Sequence, residues 1–478
     1  MKQLCFLLLT LILPIGAIAE VPALSAFKQT NDAIVTKFNS GDYKGIYEMG
    51  GDYFKFIEKP DEFAERWGKL KIEAGEISYS EMIDDLGRVK HFRWVGEKKE
   101  MKLELWLEGP QFTEIYLTSS IRQPSALGRP VRTDNSEKTV LDSIVQKYAT
   151  VYMSDPKAVG LSIGVYKDGK TNVYDYGEVE KGSGMLPTGN TFFNVGSVAK
   201  TFVGILLARA VLEHKVNLQD DVRKYLKGDY PNLAYEGVPI RLVNLANHTS
   251  GLPHWIYTLP KENAKLTLSE QVEFFASYSE AEFERDLHKA KLGTMPGSKY
   301  LYSSSGIGLL NLVLESVYGE KRDDLIRRYF GRSIGMNDTR AHLSSDDIRR
   351  YAKGYDAGEL MPRQIDPWAG IVGTNSTTND MLKYVRENVS EKDEAIMHSH
   401  CPTFGNLNDF AIGLVWDIEN TYDRGKRLAF SGFNPGYITV IVIYPEKDMG
   451  FVFWANEDSM MHDLFTMERN IVQSLESR

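Results

Sequence analysis

Among the 478 residues, the side chains best placed to do chemistry are a serine and a lysine three positions apart. The stretch NVGSVAKTF, residues 194–202, puts Ser197 and Lys200 one turn apart on the same face of any helix that begins there. A serine hydroxyl is a weak nucleophile until a neighbouring base takes its proton, and a lysine held beside it can be that base. At a helix start, free backbone N–H groups and the macrodipole also favour developing negative charge. The spacing alone decides nothing, because Ser25/Lys28 and Ser154/Lys157 share it. Tyr302, in PGSKYLYSSSGIGLL (296–310), lies between a turn and an apolar helix. A phenol set against a serine–lysine pair can pass a proton between nucleophile and leaving group. It is one of 25 tyrosines, so taken alone it reads equally well as a packing residue. His248, in LVNLANHTSGLP (242–253), reads as a packing residue of a turn rather than a base. His398 and His400 are the one close histidine pair, with no third ligand at metal spacing and no His-Glu-x-x-His. No Gly-x-Gly-x-x-Gly loop occurs, and no metal or cofactor is expected.

The elements that must carry these groups follow from periodicity. Residues 198–213, VAKTFVGILLARAVLE, read as a helix whose apolar run is buried. The region 139–478 opens with a helix (140–151) and a strand (160–166) that turns at Lys167-Asp168-Gly169, a hairpin signal. It is mostly helical over 199–395, returns to strands at 437–444 and 449–455, and closes with a helix near 458–475. Residues 20–118 form a separate small α+β unit. Phe27, Ile34 and Phe38 fall at helical spacing, Ser40-Gly41-Asp42 breaks the run, and a short helix follows near 43–49. Alternation at Met101, Leu103, Leu105 and Leu107 marks a strand, turned by Gly109-Pro110 into a second at 112–117. The polar, unpatterned residues 119–138 between the two regions read as a linker.

The N-terminus starts with Met1-Lys2, runs apolar over 4–15 and reaches Ala17-Ile18-Ala19, the pattern of a cleaved secretory signal over residues 1–19. Pro14 and Gly16 interrupt the run and argue against a retained anchor; no later stretch is a membrane span, so the mature chain is expected in the periplasm or secreted. Cys5 leaves with the signal, and Cys401 then has no cysteine to pair with. A hydrophobic fraction of 42%, a charged fraction of 25% and a net charge of -9 fit a globular protein with no nucleic-acid partner.

In combination, NVGSVAKTFVGILLARAVLEHKVNLQDDVRKYL (194–226), LVNLANHTSGLP, PGSKYLYSSSGIGLL and FSGFNPGYITVIVIYPEKDMGFVFWAN (430–456) occur in an order that resembles the serine β-lactamase and penicillin-binding-protein superfamily. The flavour is that of its class C β-lactamase, D,D-peptidase and esterase branch, over about 340 residues. The resemblance implies an α+β fold, an antiparallel sheet flanked by helices with a helical subdomain. The helix-then-strand order of residues 20–118 is similar, more faintly, to NTF2-like modules. By resemblance Ser197 is the acylating nucleophile, Lys200 its lysine and Tyr302 the tyrosine of the second motif. The third motif falls on Phe430-Ser431-Gly432, and the backbone N–H groups of Ser197 and Phe433 form the oxyanion hole. Two positions depart from the family. Ser304 replaces the second-motif asparagine, and Phe430 replaces the cation or imidazole that helps hold a substrate carboxylate. Ser304, Phe430, Ser431 and Gly432 are therefore the expected substrate-binding positions, with Phe430 an apolar wall. The expected function is a serine hydrolase working through an acyl-enzyme, with esters of neutral acyl donors favoured. The alternatives are β-lactamase or D,D-peptidase activity on a peptidoglycan-like substrate, and a catalytically weakened binding or sensor protein. No partner of the N-terminal module is implied.

Overall fold

The computed structural model of the protein describes residues 24–476, apart from 52–53, 56–57, 87–88, 109–110, 120–130, 258–267, 357, 364–372, 408–410 and 422–424. The expected signal at 1–19, the Gly109-Pro110 turn and most of the expected linker lie outside the described residues. The chain divides into two compact units, with the main break between Gln123 and Pro124.

In the N-terminal unit, α1 (Leu24–Ser40) buries Phe27, Ile34 and Phe38 on one stripe, as their spacing requires. Asp42 caps α2 (Tyr43–Glu48) by accepting the Gly45 N–H, and Pro60 opens α3 (Pro60–Ala74). Strands β1 (Ile77–Leu86), β2 (Val89–Gly96), β3 (Glu100–Glu108) and β4 (Gln111–Ser119) follow as an antiparallel meander. Met101, Leu103 and Leu105 point into a core shared with Phe27, Phe38, Trp67 and Trp94. The helices precede the strands as expected; α3, β1 and β2 are additions to that reading.

In the larger unit, a strongly apolar sheet divides two cores. Its elements are α4 (Val140–Met153), β5 (Gly160–Lys167) and β6 (Lys170–Gly177), then β9 (Asp417–Thr421), β10 (Gly425–Asn434), β11 (Tyr437–Tyr444), β12 (Met449–Ala455) and the closing α8 (Met461–Glu476). Between these lie β7 (Phe192–Asn194), α5 (Ala199–Leu212), α6 (Ser304–Tyr318), β8 (Asn375–Thr377) and α7 (Thr378–Ser390). Among the described residues the sheet has eight strands; after two short edge strands the order is β9-β10-β11-β12-β5-β6, every neighbour antiparallel. Period-two alternation splits its side chains. Val440, Val442, Phe451 and Phe453 pack with α4 and α8, whereas Ile441, Ile443, Val452 and Trp454 pack with the helical side. Residues 131–138, expected as linker, lie along this sheet, with Thr133 bridging Tyr176 of β6.

α5, like the first three turns of α6, is buried nearly all round: every residue from Ala199 to Ala208 is buried. A helix apolar on all sides belongs at the centre of a domain. That position fixes Lys200, the charged residue near its start, inside the protein. No helix among the described residues is long and apolar enough to cross a membrane.

Candidate active site

Ser197 sits in the middle of a 3₁₀ turn, Gly196–Val198, that leads straight into α5. The turn is tied down on three sides. β7 pairs with β8, the Val195 N–H donates to the Thr374 carbonyl at 3.1 Å, and Asn194 Oδ1 accepts the Gly196 N–H at 2.8 Å. Gly196 has a φ of 53°, in the left-handed region that favours glycine. A Cβ there would also stand 2.9 Å from the Phe433 nitrogen. Across the gap, a Cβ on Gly432 would stand 2.2 Å from the Val195 carbonyl oxygen and 3.0 Å from the Ser197 nitrogen. The Ser197 turn and β10 therefore meet backbone to backbone, and the Ser197 and Phe433 amides share that junction. β9 pairs with β10 only as far as Ala429, so the residues beyond it are free of that neighbour.

Lys200 is 1% exposed, and its Nζ donates to Ser197 Oγ at 2.6 Å. With donor and acceptor exchanged, that contact is the geometry of proton transfer from serine to lysine. The same Nζ lies 5.2 Å from the centroid of the Tyr302 ring, so the three side chains form one group. Tyr302 is half-buried and precedes α6, whose first turn is capped by Ser303 Oγ accepting the Gly306 N–H at 2.9 Å.

The turn at 248–254 secures this segment. The His248 carbonyl accepts the Leu301 N–H at 2.7 Å, His248 Nδ1 accepts the Ser303 N–H at 3.3 Å, and Ser303 Oγ donates to the Pro253 carbonyl at 2.8 Å. The His248 ring lies 4.5 Å from the Tyr302 ring, and that of His254 5.3 Å from it. Burial, reinforced by the Lys200 charge, pushes both imidazoles down to about 3, so both are neutral near pH 7. His248 is fully buried, packs on Tyr302 and accepts the Ser303 N–H. His254 was not a candidate in the sequence, where its only signal is adjacency to the HTSGLP turn.

The remaining positions separate. Ser304 is buried at the first residue of α6, Ser431 is half-buried and Gly432 is buried. Phe430, expected as an apolar wall, is 5% exposed and packed into the core on the helical side. Strand alternation sets it there with Leu428, while Ala429 faces the opposite core. The exposed aromatic of the motif is Phe433, at 44%. His400, away from this group, contacts Glu391 Oε1 through Nδ1 at 2.7 Å and Asn388 Oδ1 through Nε2 at 3.0 Å. Both ring nitrogens thus have protein partners. No group of three metal-ligating side chains occurs among the described residues.

Comparison with known proteins gives a consistent relationship. The Beta-lactamase family profile matches residues 142–476. A beta-lactamase of Pseudomonas fluorescens is 28% identical over 293 residues, 59% of this chain and 74% of that protein. The D-alanyl-D-alanine-carboxypeptidase/endopeptidase AmpH of Escherichia coli (strain K12) is 25% identical over 334 residues, 66% of this chain and 84% of its own. A solved structure of a beta-lactamase/D-alanine carboxypeptidase from Yersinia pestis, complexed with citrate, aligns with a TM-score of 0.60 at 22% identity, covering 70% of this chain and 100% of that one.

Proposed function

We propose, from the premise that the chain belongs to the beta-lactamase family and is a serine hydrolase, that it works through an acyl-enzyme formed on Ser197. The observation that carries this reading is the 2.6 Å contact between Lys200 Nζ and Ser197 Oγ, on a turn packed directly against β10. Ser197 Oγ attacks the substrate carbonyl while Lys200 accepts its proton. The Ser197 and Phe433 amides receive the developing oxyanion. Tyr302 relays the proton taken up by Lys200 to the leaving group, and the same three side chains assist the water that releases the acyl chain. Export by the N-terminal segment, and a docking role for an NTF2-like first unit, complete the proposal.

A fluorophosphonate probe read by intact mass tests the nucleophile. The native protein takes up one adduct and Ser197→Ala takes up none; an unlabelled native protein, or the same adduct on the variant, ends this reading.

The substrate is proposed to be an ester of a neutral acyl donor. Phe430 brings no charge to the position where relatives of this superfamily place a cation or imidazole, and losing a charge-assisted hydrogen bond costs about 1.5–3 kcal/mol. Hydrolysis of carboxylated esters is then expected to lag matched neutral esters by about 10-fold. Equal rates on the two series remove the argument. The second reading, action on β-lactams or D-alanyl-D-alanine peptides, is favoured by what the matched relatives are called; an acyl adduct from penicillin that turns over selects it. A chain that binds these compounds without turnover is instead the weakened binding or sensor protein.

A further inference from the structure

We propose that His254 is a positioning residue for Tyr302, forming with His248 an imidazole clamp that sets the phenol against Lys200. The inference rests on the reading of Tyr302 as the proton relay.

The two rings bracket the tyrosine, at 4.5 and 5.3 Å and tilted by 43° and 38° to its plane. Each histidine also binds main chain beside it. His248 takes the Leu301 and Ser303 amides on either side of Tyr302. The His254 ring is hydrogen-bonded to the Tyr302 main chain, and the His254 carbonyl accepts the Ser305 N–H at 3.0 Å and Oγ–H at 3.2 Å. The main chain from Leu301 to Ser303 is thereby held by the two histidines.

Packing alone does not account for imidazoles here. His248 Nε2 and His254 Nδ1 are buried without a hydrogen-bond partner. An apolar ring would fill the same space without stranding a polar atom. What the imidazole adds is a ring nitrogen that hydrogen-bonds main chain and carries no charge. The charge matters because Lys200 is the neighbour that bears on both rings. A carboxylate at either position would pair with Lys200 and draw it from Ser197; a cation would repel it. Neutral imidazole holds the tyrosine segment and leaves the Lys200–Ser197 contact undisturbed. Tyr300, edge-on to His248 at 5.9 Å, and Trp255, 4.8 Å from His254, complete the surroundings of the clamp with uncharged rings.

The test uses the full chain, p-nitrophenyl ester turnover and fluorophosphonate labelling of Ser197. His254→Phe keeps a ring and loses the hydrogen bond to the Tyr302 main chain, whereas His254→Gln keeps a side chain that can make one. His254→Phe is expected to lower kcat by on the order of 10²-fold, the penalty of a misplaced catalytic group, with Ser197 labelled near the wild-type rate. His254→Gln recovers most of the loss. If His254 acts through Tyr302, the Tyr302→Phe/His254→Phe double variant is no slower than Tyr302→Phe. Wild-type turnover in His254→Phe, or losses that multiply in the double variant, overturns the clamp. Should His254→Phe not fold, His254→Gln alone and in the Tyr302→Phe background decides by the same criterion. A wild-type protein that neither labels nor turns over is a failure of the proposed function; an active wild type with an indifferent His254 is a failure of the clamp only.

Discussion

The two halves of the candidate site are held by different means. Ser197 is fixed by main chain: a 3₁₀ turn pressed on β10, with Gly196 and Gly432 leaving no room for a methyl group between them. Around Tyr302 main-chain hydrogen bonds to the His248 and His254 carbonyls are supplemented by side chains, two imidazoles and a serine cap. Backbone contact sets position within a few tenths of an ångström but tolerates no added volume. A side-chain clamp tolerates replacement by a group of similar shape and hydrogen bonding. The proposed oxyanion hole therefore depends on the first arrangement, and the proposed proton relay on the second.

Three changes would break or sharpen this contrast. Gly432→Ala has the largest expected effect. Its methyl group would face the Val195 carbonyl and the Ser197 amide, so turnover should fall by on the order of 10²–10³-fold, as when an oxyanion donor is lost. Fluorophosphonate labelling should fall with it; normal labelling would mean the junction is softer than its geometry implies.

The tyrosine side answers to pH. His248, buried and pushed down to about 3, stays neutral in the fold, while in the unfolded chain it takes a proton below its ordinary value near 6.5. The unfolded state then binds more protons, so this contribution is greatest above pH 6.5 and is lost as pH falls toward 3, by about 2 kcal/mol between pH 7 and pH 5. Asp175 and Asp458, raised to about 7 by burial, tilt the curve the other way. The measurement is accordingly the difference in denaturant stability between wild type and His248→Gln, which should narrow toward acid. A constant difference would separate the histidine's protonation from the fold.

Asn194→Ala is the smallest. It removes one buried acceptor from the Gly196 N–H, a loss of about 1 kcal/mol. Thermal unfolding and labelling should both register it slightly, since the turn keeps its β10 contact. Loss of labelling would show that the cap, not the strand, holds the nucleophile.

How legible these features were depends on how local they are. Ser197 and Lys200 follow from a three-residue spacing at a helix start, and the runs YITVIVIY and MGFVFWA are so apolar that β11 and β12 read directly. The Lys167-Asp168-Gly169 turn was legible because its chemistry is contained in the turn itself. Phe430 was half legible: its type is plain, but whether it faces substrate or core depends on the parity of β10, which the packing of Leu428 decides. His254 was not legible, because what makes it notable is Tyr302, brought beside it by the fold. α3 was passed over because PDEFAERWGKLKIEA is largely polar and buries only Phe63, Trp67 and Ala74.

The order of strands has a consequence for biosynthesis. β5, near the start of the larger unit, sits between β6 and β12, and its register runs from Leu161 opposite Ala455 to Lys167 opposite Met449. The nucleophile turn likewise waits for Gly432 of β10. A chain emerging from the ribosome at about 5–20 residues per second thus carries Ser197 for on the order of 10–50 s before its other wall exists. Throughout that interval the inner edge of β5 is open, which makes the nascent chain inert toward substrate and exposed to mispairing. Truncation before residue 449 would make that transient state permanent.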